Sequence, residues 1–115
     1  MNIFDKMTEA ELIELVREDC LALRFVEDQT EAICLAAVKK DGYVLRYVKN
    51  QTEAVCLEAV KQCGYALEFV KDQTEDVCLE AVKEDGWALK YVKDPSDEFL
   101  ARCIEVNPKC VEFIK

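Results

Sequence analysis

The chain has 115 residues, the length of one domain with a single soluble core. Fifteen Lys and Arg against 24 Asp and Glu leave a formal charge of -9, a field that repels nucleic-acid phosphate and an anionic membrane leaflet, so direct nucleic-acid binding is not expected. Histidine is absent and Ser96 is the one serine, which removes the commonest general base and hydroxyl nucleophile, so no enzyme and no catalytic residue are expected.

From the N-terminus, Asn2-Ile3-Phe4-Asp5-Lys6 lacks the basic and apolar regions of a secretion leader, and the expected location is the cytoplasm. The longest apolar run, Ala32 to Val38, is seven residues, against about 20 for a membrane-spanning helix. Seven cysteines in a reducing compartment are expected to remain thiols.

Self-comparison then decides the architecture. Gln29-Thr30-Glu31-Ala32-Ile33-Cys34-Leu35 recurs at Gln51–Leu57 and Gln73–Leu79, each time 22 residues on, and 51–72 matches 73–94 at 16 of 22 positions. Weaker copies at both ends give five units, 7–28, 29–50, 51–72, 73–94 and 95–115, in one domain spanning 1–115. Thr8, Thr30, Thr52, Thr74 and Ser96 stand at the N-cap of a first helix about ten residues long. Val55, Cys56, Leu57, Ala59 and Val60 give that helix an apolar surface wide enough to be covered on more than one side. Asn107-Pro108 in the last unit shows how Asp41-Gly42 and Asp85-Gly86 are to be read, as caps of a second, short helix carrying Tyr65, Ala66, Leu67, Phe69 and Val70. A lone hairpin cannot bury its apolar face but a stack can, so the expected fold is all-α, an α-solenoid of five stacked 22-residue helical hairpins, a rod on the order of 40 Å long. Glu11 and Lys109, which replace apolar or aromatic residues of the interior units, mark the end units as caps.

The interior copies, with the pattern Gln-Thr-Glu-x-Val-Cys-Leu-x-Ala-Val-Lys-x-x-Gly-Tyr-x-Leu-x-Tyr-Val, resemble a family of short tandem repeats of unknown function seen in bacterial, phage and giant-virus proteins. The likeness covers 29–94 well. The end units depart from it, with Cys20 and Pro108 at the Gly position and Leu12 and Leu100 at the Cys position. The resemblance implies a helical repeat scaffold rather than a reaction.

Each recurring position forms a column along the stack. Cys34, Cys56 and Cys78 give way to Leu12 and Leu100 at the ends, so the column wants small apolar groups; helices about 8–10 Å apart would spread the thiols too far for zinc, and no metal or cofactor is expected. Ala37, Ala59 and Ala81 permit close helix approach, while Leu45, Leu67, Leu89, Val48, Val70 and Val92 read as core. Tyr47, Phe69 and Tyr91, with Phe25 and Phe113, are hydrophobic in all five units and expected to be buried. Tyr43, Tyr65 and Trp87 differ, because their column runs out into Leu21 and Lys109 and so tolerates water; each lies four residues before a ring of the other column on the same helix.

Two functions follow. The first is a non-enzymatic protein-protein interaction module whose second-helix face meets a protein partner through Tyr43, Tyr65 and Trp87, with Lys49, Lys71 and Lys93 at its margin. The alternative is a small acidic inhibitor that imitates nucleic acid and blocks a nucleic-acid-binding enzyme, for example in phage-host anti-defence, through an edge of Asp28, Glu31, Glu53, Asp72, Glu75, Asp94 and Asp97. No membrane partner is expected, and an incompletely capped end offers a route to self-association.

Overall fold

The computed structural model describes residues 2–114; Met1 and Lys115, the latter counted in the fifth unit, lie outside them. Thr8, Thr30, Thr52, Thr74 and Ser96 hold extended backbone, and each side-chain oxygen accepts from the amide three residues on. From these caps run five ten-residue helices, α1 (Glu9–Glu18), α2 (Glu31–Lys40), α3 (Glu53–Gln62), α4 (Glu75–Glu84) and α5 (Asp97–Val106). Glu11 also accepts from the Thr8 amide, which gives the first unit a complete capping box.

The second helix of every unit is a 3-10 helix six residues long. A short η1 (Ile3–Lys6), not expected from the sequence, precedes η2 (Cys20–Phe25), η3 (Gly42–Tyr47), η4 (Gly64–Phe69), η5 (Gly86–Tyr91) and η6 (Pro108–Phe113). The repeat length explains the choice. Once a ten-residue helix, one cap residue and the five residues that lead to the next unit are taken from 22, six remain, too few for α-helical bonding to be worth its nucleus, and i to i+3 bonds suit short pieces. Asp41 and Asp85 do cap these elements, accepting from the Tyr43 and Trp87 amides at 2.9 Å, and Asp19 and Asn107 do the same; Cys63 has no such bond.

The α-helices form one layer and the 3-10 helices the other, each element packing on its counterpart in the next unit. The solenoid measures 50 by 21 by 17 Å, somewhat longer than expected, because five units at about 10 Å each sit at the wide end of helix spacing. Ala37, Ala59 and Ala81 are fully buried at the closest approach. Glycine is required opposite Ala59 and Ala81: a Cβ at Gly42 would collide with the Ala59 carbonyl oxygen, and one at Gly64 would lie 2.6 Å from that of Ala81.

Leu45, Leu67, Leu89, Val48 and Val70 are core, as expected, but Val92 is only half-buried. The interior divides at that level, with Val82, Leu89, Cys103 and Cys110 forming a separate cluster under the last unit. Among the described residues there is no strand, no buried charged or polar residue, and no helix long and apolar enough to cross a membrane.

Candidate functional site

The outer side of the 3-10 layer carries the rings. Nothing covers it, so the column Tyr47, Phe69, Tyr91 and Phe113 is half-buried rather than buried, and Phe25, in the first unit, is 49% exposed. Tyr43 and Trp87 are exposed at 37% and 54%, and Tyr65 is half-buried. Ring contacts run between units. Tyr43 meets Phe69 edge-on with centroids 6.0 Å apart, Tyr65 meets Tyr91 likewise at 6.0 Å, and Trp87 lies against Phe113 at 4.2 Å. The neighbour four positions on in the same element is not the ring partner, because a 3-10 helix has three residues per turn and aligns i with i+3.

Cations rest on this layer. The Arg46 guanidinium lies 4.8 Å from the centre of the Tyr47 ring, Arg24 lies 4.6 Å from that of Phe25, and the Lys90 ammonium sits between Tyr91 at 5.0 Å and Tyr65 at 5.7 Å. In the sequence their column carries no constant signal, because it also holds Glu68 and Glu112.

Lys49, Lys71 and Lys93 sit elsewhere, on the turns between units. Lys71 lines a hollow with Glu53, Asp72 and Thr74, and Lys93 lines one of about 320 Å³ with Glu75, Asp94 and Ser96. The lysines therefore share the edge on which all seven acidic candidates, Asp28 and Glu31 to Asp97, are exposed. That edge is partly paired within itself, since the Thr74 hydroxyl donates to Glu53 at 2.6 Å and Arg102 forms an ion pair with Glu75.

A second feature missed in the sequence is the glutamine that opens each interior unit. The Gln51 amide nitrogen donates to the Phe69 carbonyl at 2.8 Å, and its oxygen accepts from the Lys71 amide at 2.9 Å; Gln29 and Gln73 do the same to Tyr47 and Lys49, and to Tyr91 and Lys93. Each carboxamide thus ties the start of its unit to the end of that unit. The Cys34, Cys56 and Cys78 thiols donate to the same glutamine oxygens at 3.6 to 3.7 Å, so the cysteine column is a polar partner as well as a small hydrophobe. The clue lay in the end units, where Gln and Cys are lost together, as Met7 with Leu12 and Pro95 with Leu100. In the first unit the Asn2 side chain takes over, donating to the Phe25 carbonyl at 2.7 Å.

Burial disfavours the thiolate at six of the cysteines. Burial pushes Cys34, Cys56, Cys78 and Cys103 up to about 11, and raises Cys20 and Cys110 as well. Beside Cys63, whose thiol is the main cause, the Tyr43 phenol is pushed up to about 12. Among the described residues no group of three or more His, Cys, Asp or Glu side chains is placed to hold a metal ion.

A family model described as a domain of unknown function, DUF4116, matches residues 32–74 and again 52–95, in overlapping placements about one repeat apart. No curated protein and no solved structure matches the chain. The two placements together span more than half of the chain, and they fall on the units that share the Gln, Cys and Gly columns. The chain belongs to this family of domains of unknown function, DUF4116.

Proposed function

We propose that the protein is a non-enzymatic interaction module that presents its 3-10 layer to a protein partner in the cytoplasm. One observation carries this reading. Of the large hydrophobic side chains exposed among the described residues, Leu21, Phe25, Tyr43 and Trp87 lie on the 3-10 layer, whereas Ile3 lies in η1, Val106 in α5, and Val111 at the end of the stack in the column of Leu45, Leu67 and Leu89. Four exposed apolar side chains, three of them aromatic, are thereby gathered on one layer of the rod, where a partner that covered them would desolvate rigid rings. Tyr43, Tyr65 and Trp87 are the anchors; Lys49, Lys71 and Lys93, on the turns between units, belong to the acidic edge and not to the ring face.

The competing reading, an acidic inhibitor acting through the edge from Asp28 to Asp97, is weakened by Lys71 and Lys93 in its hollows and by the pairing of Glu53 and Glu75. A phosphate mimic gains from an undiluted negative field. The deciding experiment is affinity capture from native lysate with the wild type beside Tyr43→Ala/Tyr65→Ala/Trp87→Ala. A protein held by the wild type and lost by a variant of unchanged helical circular dichroism supports the reading. Equal capture by both, or binding that collapses with salt and ignores the rings, refutes it.

A further inference from the structure

The two layers of the solenoid differ in charge. Helices α1–α5 carry 14 acidic and 6 basic residues, whereas η2–η6 carry Arg24, Arg46, Lys90 and Lys109 against Glu68 and Glu112, a net +2 in a chain of -9. Arg24, Arg46 and Lys90 are exposed, held over rings, and among the described residues make no ion pair. A cation on a ring face is oriented in advance and keeps its outward donors free. Three exposed cations are therefore placed among the exposed aromatics, in a layer of positive net charge on the side turned away from the acidic helices.

We infer that the 3-10 layer takes an extended peptide segment with acidic and apolar residues, running along the rod. The inference rests on the docking reading above and names the chemistry of the partner. Neighbouring 3-10 elements touch through η6, so the track is continuous, and 50 Å over five units allots about 10 Å to each. An extended chain rises about 3.3 Å per residue, so one unit corresponds to about three residues of the segment. Arg24, Arg46 and Lys90 lie in units one, two and four, and Glu68 in unit three. The matching segment carries an acid, an acid three residues on, a neutral or basic residue after three more, and an acid after a further three, with apolar residues between them against the rings. A nucleic-acid strand fits less well: it brings a phosphate at every nucleotide, one of them to Glu68, and its length keeps it within the field of the acidic helices.

The test uses dye-labelled synthetic peptides, read by anisotropy and by Trp87 emission. The probes are a twelve-residue peptide with Asp at positions one, four and ten and Lys at seven, its reversed sequence, and a scramble of the same composition. One of the first two should bind at least about tenfold tighter than the scramble and lose about tenfold or more against Arg24→Gln/Arg46→Gln/Lys90→Gln, a variant of exposed residues that keeps wild-type circular dichroism. Replacing the Lys at position seven by Asp should weaken binding to the wild type and restore it to Glu68→Lys. Binding that ignores the three Gln substitutions, failure of both spaced peptides to outbind the scramble, or preference for a twelve-nucleotide oligothymidine each overturns the inference. If a captured partner is lost with the ring variant but kept by the Gln variant, the docking face stands and its acidic ligand falls.

Discussion

The Cys56 thiol donates to the Gln51 Oε1 at 3.7 Å, and that oxygen also accepts from the Lys71 amide at 2.9 Å, so one carboxamide joins a helix, a turn and a core side chain. Gln51→Ala leaves the Phe69 carbonyl and the Lys71 amide without their partner. The expected loss is about 1–3 kcal/mol of unfolding free energy, measured by urea denaturation. Gln51→Ala/Cys56→Leu, which imitates the end units, should lose less than the two single changes together, and strict additivity would show that the pair is not coupled.

The close approach at the glycines gives a graded prediction. Gly64→Ala places a methyl 2.6 Å from a backbone oxygen that cannot swing away, whereas Gly86→Ala meets the edge of the Phe113 ring at 3.0 Å. Thermal unfolding should show Gly64→Ala destabilised by about 1–3 kcal/mol, and Gly86→Ala by clearly less because a ring at the open end can shift.

Cys63 stands where Asp41 and Asp85 accept a backbone amide, and it accepts none. Cys63→Asp is expected to stabilise the protein, by up to about 1 kcal/mol, by supplying the missing acceptor for Tyr65. Thr52→Ala should cost about as much, since it removes the acceptor of the Val55 amide. Both are read from denaturant midpoints.

The buried thiols set a limit on alkaline stability. Their ordinary value of 9.0 is raised to about 11 in the fold for Cys34, Cys56, Cys78 and Cys103, so between these values the unfolded chain has given up protons that the folded one retains. Their contribution is complete below about pH 9 and is lost as pH rises through 11. Urea midpoints measured from pH 8 to 11 should fall in that window, and less steeply in Cys34→Ala/Cys56→Ala/Cys78→Ala; equal slopes would count against the thiols.

Much of this fold is legible in the sequence, and the reason is repetition. A hydroxyl every 22 residues before an apolar run fixes where each α-helix begins, and Asn107-Pro108 exposes the role of Asp41 and Asp85. Columns show which residues are equivalent but not how far one unit is offset from the next. Tyr43 therefore pairs with Phe69, 26 residues on, and Gln51 with Phe69 and Lys71, relationships that a period of 22 does not reveal. For the candidate site, the sequence marks Tyr43, Tyr65 and Trp87 as a column that tolerates water, of which Tyr43 and Trp87 are exposed and Tyr65 is half-buried, while Arg24, Arg46 and Lys90 become visible only once rings and cations have positions.

Pro95 stands where the interior units have their clasping glutamine, and Asp94 before it is the one non-glycine among the described residues with positive φ, at 47°. Proline brings no carboxamide and disfavours helical backbone in the residue ahead of it. The fifth unit thus lacks the clasp that closes each interior unit on itself, and it is held to the fourth by Arg102 on Glu75, by Asn107 on the Val82 carbonyl and by Trp87 on Phe113. Melting accordingly has a direction: the terminal hairpin can peel away first while the first four keep their shared interior, and the indole that reports on it sits at the very crack that opens.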